Sequence, residues 1–136
     1  MKKVLNSSPV AVALAAPQIG ISKAIVVTGY KSQDKKAEKI PELVLINPQT
    51  IETSKEKIKD EEGCLSLMDE EIRGEVERAK NIILEARDEK GKIKKIKAKG
   101  FFARVLQHEI DHLNGVLFVD RADPSTIYKV KNEKKN

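Results

Sequence analysis

Two histidines, His108 and His112, stand four residues apart with Glu109 directly after the first, in the stretch Gln107-His108-Glu109-Ile110-Asp111-His112-Leu113-Asn114-Gly115. On an α-helix, positions at that spacing lie one above the other on a single face. Both imidazoles can then reach one metal ion, and Glu109 can reach a water on that ion as general base of a metal-assisted hydrolysis. The chain has no other histidine. The bland alternative is a charged surface helix, since so short a pattern also arises by chance. The surrounding residues argue for more: Phe101, Phe102, Val105, Leu106, Ile110 and Leu113 recur at helical spacing and give the segment a long apolar face. Gly100 and Gly115 supply its boundaries. A partly buried helix with two histidines and two carboxylates needs something to offset their desolvation, and a metal is the simplest candidate.

A tetrahedral catalytic ion takes three protein ligands and keeps one position open. No histidine follows His112, and the carboxylates downstream, Asp120, Asp123 and Glu133, lie beyond a strand-like stretch or in the tail. The other candidate is Cys64, in Glu62-Gly63-Cys64-Leu65-Ser66. A lone cysteine is most often a small buried hydrophobe. Here it follows a glycine, which allows close backbone approach, and a thiolate suits a borderline-soft divalent ion.

The elements that must position these groups read as α+β. Residues 10–16 form a strand or extended segment that turns at 15–20, and 24–30 form a buried strand. Residues 31–39 are a polar loop. A strand over 42–47 is stopped by Pro48, and 51–61 lead along an edge strand to the Gly-Cys pair. Residues 68–71 are a polar loop, and 74–86 form one strand with Val76, Ile82, Ile83 and Leu84 as core candidates. Asp88-Glu89-Lys90-Gly91 is a hairpin turn into a half-exposed strand over 92–99. The helix over 101–113 follows, then a short strand over 116–119 and a polar tail. Strands gathered ahead of one central helix give the α+β class.

At 136 residues the chain forms a single domain, 1–136. It is 35% charged and 40% hydrophobic, and no apolar run approaches the ~20 residues of a membrane span. The N-terminus has the look of a weak signal peptide, but Pro17-Gln18 breaks its short apolar run, so the expected location is cytoplasmic. A single cysteine excludes an intrachain disulfide and fits a reducing compartment. The net charge of +5 comes largely from lysines at 92–99 and in the tail from Lys129 to Asn136. Such runs are commonly solvated faces; their functional reading is attraction to an RNA-rich surface such as the ribosome. With three Phe, two Tyr and no Trp, nothing supports specific nucleic-acid readout.

Three separated motifs, Leu14-Ala15-Ala16-Pro17-Gln18-Ile19-Gly20, Glu62-Gly63-Cys64-Leu65-Ser66 and the histidine stretch, resemble those of peptide deformylase in the same order. Ile46-Asn47-Pro48, Arg73-Gly74-x-Val76-x-Arg78 and Gly115-Val116-Leu117-Phe118 add to the likeness, which covers residues 10–121. The resemblance implies a cytoplasmic hydrolase that removes the formyl group from the N-formyl-methionine of newly made proteins. It implies antiparallel sheets around one central metal-binding helix, and one divalent metal ion, Fe(II), replaceable by Zn, Ni or Co, on Cys64, His108 and His112. Glu109 would act as base and then acid. The Gln18 amide and the backbone N–H of Leu65 would stabilise the oxyanion. Ala13, Phe101 and Val105 would contact the substrate, the last two lining a methionine pocket although both are equally explicable as core. Glu62 and Arg73 would pair to brace the cysteine loop.

The chain departs from the family's pattern in three places. Ala11 and Ala13 stand where glycines are usual, so added methyls crowd the substrate side. The family's N-terminal helix is expected to be absent or shortened, and the loop from Cys64 to Arg73 is longer than usual. A rival reading is a low-activity or inactive metal-binding relative that recognises N-termini or docks at the ribosome. Another is a zincin-like peptidase, which would not need Cys64.

Overall fold

The computed structural model describes residues 13–29, 40–65 and 70–131. Among the described residues, strands and α-helices follow in the order β1 (Ala13–Ala15), β2 (Ile25–Thr28), β3 (Leu43–Thr53), β4 (Lys57–Leu65), β5 (Glu70–Ala79), β6 (Asn81–Arg87), β7 (Ile93–Lys99), helix α1 (Gly100–Leu113), a one-turn helix α2 (Phe118–Arg121) and β8 (Tyr128–Lys131). They build two antiparallel sheets, β1-β2-β3-β6-β7 and β4-β5-β8. The expected α+β class, with sheets arranged about one main helix, is what the chain adopts.

The first sheet meets α1 through period-two burial. Ile82, Leu84 and Ala86 of β6 point inward and join Ala15, Val26, Leu45 and Ala98 against Ala103 and Leu106 of the helix. Ile83, expected in the core, lies on the opposite face and is only half-buried, because a strand can bury only every second side chain from one side. Leu106 is fully buried, and truncating such a side chain costs about 2–5 kcal/mol. The helix starts at Gly100, whose N–H donates to Lys80 O at 2.8 Å. It ends at Asn114 and Gly115, where Gly115 takes a φ of 75° and Val116 N–H reaches back to Asp111 O. The Asp88–Gly91 turn forms as read, with Asp88 Oδ1 accepting the N–H groups of Lys90 and Lys92.

Three local expectations are corrected. Pro48 does not stop a strand: β3 runs through it to Thr53, and the ladder to β6 shifts register between Ile46 and Gln49. Asn47 takes a φ of 53° there, so the irregularity absorbs the proline where no ladder N–H is needed. The single strand expected over 74–86 is two strands in different sheets, broken at Lys80. That corner is held by Lys80 N–H on Glu56 O, Ser54 N–H on Asn81 O and Asn81 N–H on Ser54 Oγ. Apart from Ala79, buried residues fall at even positions on both sides of it (Gly74, Val76 and Arg78, then Ile82, Leu84 and Ala86), so the alternation gave little sign of the break. Finally, the strand expected over 116–119 is an extended Val116–Leu117 followed by α2. Asp120 Oδ2 accepts Leu117 N–H at 2.9 Å and fixes the first turn.

The second sheet packs Val76 against Phe118 and Ala122. Gly74 permits this contact, since a Cβ there would lie 3.1 Å from both Ala122 Cβ and Ile127 Cγ1. Of the loop expected over 68–71, Glu70 and Glu71 already belong to β5. Residues 68–69, the loop at 31–39, Ala11, the N-terminal segment and the end of the basic tail lie outside the described residues. Among the described residues no helix is long and apolar enough to cross a membrane.

Candidate metal centre

On α1 the rings of His108 and His112 stand edge to face, with centroids 4.9 Å apart and their Nε2 atoms 3.2 Å from each other. His108 Nδ1 lies 2.9 Å from Glu62 Oε1. Burial by itself would raise the pKa of Glu62, but hydrogen bonds from Arg78 and His108, and their charges, outweigh it and hold the carboxyl at about 2. An ionised carboxylate only accepts, so Nδ1 of His108 is the donor, and in the neutral ring that tautomer leaves the lone pair on Nε2. Burial and the neighbouring His108 lower the pKa of His112 and favour its neutral form. Two imidazole nitrogens at about 2.0–2.1 Å from one tetrahedral ion stand roughly 3.3 Å apart, so the pair fits a shared cation. Among the described residues no third His, Cys, Asp or Glu side chain joins them.

Glu109 is 6% exposed, and its Oε1 is buried with no hydrogen-bond partner. Burial pushes its carboxyl up to about 7, despite the opposing effect of His108. A buried polar atom without a protein partner is rare, and a catalytic role or a bound water or ion accounts for such an oxygen. Donor set, spacing and orphaned oxygen therefore all accommodate a divalent cation with a water beside Glu109.

Glu62 sits on β4 two residues before Cys64. The side chain of Glu62 turns toward α1, where it meets His108. The backbone of Cys64 pairs with Ile72 and that of Leu65 with Glu71. The expected partner of Glu62, Arg73, is not its partner. Arg73 lies opposite Gly63 and binds Glu61 at 3.4 Å on the outer face, because pairing parity sends residues 62 and 73 to opposite sides. Glu62 instead receives Arg78 through Nε and Nη2, both at 2.9 Å, and Arg104 through Nη1. Arg104 also donates to Val76 O and Ile58 O, tying the helix to β5 and β4. Arg78 Nη1 continues to Asp111, which is held in turn by Arg121 of α2. Burial works against the charge of Arg78, but Glu62 and Asp111 more than compensate and raise its pKa. Arg104, Asp111, Arg121 and Gln107 were given no role from sequence. The available signal was charge within an apolar helical face, at Arg104 and Asp111. Gln107 is a second tie: its amide accepts Ala79 N–H at 3.2 Å and donates to Ala79 O at 2.9 Å.

Gln18 lies on the single 3₁₀ turn after β1, with Pro17 in its first turn. Its Oε1 accepts Ala15 N–H at 2.7 Å, which leaves the amide NH₂ as the outward donor. Ala13, Phe101 and Val105 come together with Ile40 in a small apolar cluster, and Phe102 packs against both this cluster and the main core. Phe118 of α2 stacks on His108 with ring centroids 6.2 Å apart.

A family model described as polypeptide deformylase matches residues 1–127. The peptide deformylase of Dictyoglomus thermophilum is 47% identical over 116 residues, covering 85% of this chain and 69% of that one. That of Prochlorococcus marinus strain NATL2A is 45% identical over 123 residues, covering 90% of this chain and 58% of that one. Among solved structures, the Synechococcus elongatus peptide deformylase in complex with actinonin superposes with a TM-score of 0.71 at 42% identity, over 83% of this chain and 59% of that one. A Plasmodium falciparum peptide deformylase in complex with an inhibitor gives 0.75 at 35% identity, over 91% and 70%. The chain thus spans between about three fifths and seven tenths of the length of these relatives.

Proposed function

Since the chain belongs to the polypeptide deformylase family, we propose that it is a metal-dependent amide hydrolase. It removes the formyl group from N-formyl-methionyl nascent peptides and releases formate and a free N-terminal methionine. The family is one of metalloenzymes. The observation that carries the reading here is the pair of Nε2 atoms facing each other at 3.2 Å beside the orphaned oxygen of Glu109.

In this proposal residues 1–136 act as one catalytic domain, and Cys64, His108 and His112 hold the ion. A thiolate with two imidazoles suits a borderline divalent metal, and Fe(II) is the one proposed, with Zn, Ni or Co as substitutes. When bound, the ion would acidify a water and draw charge from the formyl oxygen. Glu109, walled off from bulk solvent, takes the water's proton and passes it to the departing amine. The Gln18 NH₂, oriented by the bond from Ala15 to its other end, donates to the formyl oxygen together with the backbone N–H of Leu65. Losing one such donor raises the barrier by about 3–4 kcal/mol. Ala13, Phe101 and Val105 receive the methionine side chain in the cluster they share with Ile40. The proposed setting is the cytoplasm, with the basic segments turned toward the ribosome surface. The non-catalytic alternative draws no support from this site.

The test is formate release from formyl-Met-Ala by the Fe(II)-loaded chain under anaerobic conditions. We expect turnover that a chelator abolishes. A chain carrying one metal ion that releases no formate would overturn the proposal.

A further inference from the structure

An unbroken run of charge-assisted hydrogen bonds leads from the surface to His108. Arg121 donates to both oxygens of Asp111, through Nη2 to Oδ1 at 2.9 Å and through Nε to Oδ2. Asp111 Oδ2 also accepts Arg78 Nη1 at 2.6 Å. Arg78 turns its other edge to Glu62, and Glu62 Oε1 accepts both Arg78 Nη2 and His108 Nδ1 at 2.9 Å. Along this run the side chains of Arg78, Glu62 and Asp111 are 4%, 6% and 10% exposed, whereas Arg121 is 49% exposed. Its end of the run opens on a cleft of about 680 Å³ behind the helix, lined in part by Arg78, Gln107, Asp111 and Arg121.

From this connectivity we infer that Arg121 is a positioning residue for the metal centre, acting on His108 through Asp111, Arg78 and Glu62. The inference rests on the reading of His108 as a ligand. Arg78 spans two carboxylates, and it can keep two N–H groups on Glu62 only while Asp111 is satisfied from elsewhere. Arg121 supplies that satisfaction. Without it Asp111 draws Arg78 toward itself, Glu62 loses half of its clasp, and the acceptor that fixes the His108 ring begins to move. The simpler possibility is that Arg121 only fastens α2 to α1.

Full-length wild type, Arg121→Ala and Arg121→Lys separate the two, with Asp111→Asn as a second break in the run. The proton on His108 Nδ1 is followed by ¹⁵N-resolved NMR for its exchange with water, in the zinc-loaded and the metal-free chain. Zinc loss to a chelator is timed, and thermal unfolding is recorded. We expect Arg121→Ala to speed exchange of that proton and to release zinc about three- to tenfold faster, less than the roughly 10–100-fold effect of a group touching the ligand itself. Arg121→Lys should restore part of both, and Asp111→Asn should match or exceed the alanine variant. Lower thermal stability with an unchanged proton signal would overturn the inference and leave Arg121 a fastener. The metal-free spectra decide this even for a chain that takes up no zinc, a failure that would count against the metal-centre reading instead.

Discussion

Replacing Glu62 with Gln removes one negative charge, at nearly constant volume, from a network of cationic and imidazole donors assembled around it. The carboxylate receives two N–H groups of Arg78, one N–H of Arg104 and the His108 ring. An amide offers one acceptor and turns an NH₂ toward guanidinium groups that can only donate. Arg78 would keep Asp111, but Arg104, 9% exposed, would be left with the carbonyls of Ile58 and Val76 and no carboxylate among the described residues. Breaking a buried pair from one side costs about 3–5 kcal/mol. The unfolding entropy of about 2.1 cal/mol/K per residue, taken over the whole chain, converts that to a Tm lowered by roughly 10–17 °C. His108 would also lose the acceptor that fixes its tautomer, weakening metal affinity by about 10–100-fold. Thermal unfolding and chelator competition read the two effects separately. Adding Arg104→Met should recover stability, because the second change removes the stranded charge. A single variant within about 3 °C of wild type would refute the reasoning. So would a double variant in which the two losses simply add.

Glu109→Gln should bind metal as the wild type does while turnover falls by at least about a hundredfold; undiminished turnover would exclude Glu109 as the base. Cys64→Ala should lose the divalent ion, measured as metal per chain, and full occupancy would remove Cys64 from the site. Gly74→Val, which drives a Cβ against Ala122 and Ile127 at 3.1 Å, should cost about 1–3 kcal/mol in urea unfolding. Wild-type stability in that variant would show that the segment after α2 can shift without loss.

Much of the site was legible before any tertiary contact was known, and for one reason. His108 and His112 stand one helical turn apart, so their spacing alone brings them to one face, with Glu109 adjacent in the same turn. The Asp88–Gly91 hairpin was legible on the same grounds, as were Ile82 and Leu84 in the core, although Ile83 was expected there with them; a turn and a pleat are set by residues close in the chain. Features beyond local geometry were read wrongly or missed. Sheet pairing decides that Arg73 and Glu62 face opposite ways, and only the register shift beside Asn47 lets β3 continue through Pro48. The corner at Lys80 preserves the alternation on which strand assignments depend, so the pattern ran smoothly across a change of sheet. The partners of Arg78, Arg104 and Asp111 were not legible, because the sequence shows a charge but not what it faces. Their partners come from β4, β5, α1 and α2, and only the packing of those elements places the opposite charges within bonding distance and out of water. The local pattern was enough to propose a cation and a base, whereas the ordering of the imidazole that would hold that cation is a property of the assembled fold.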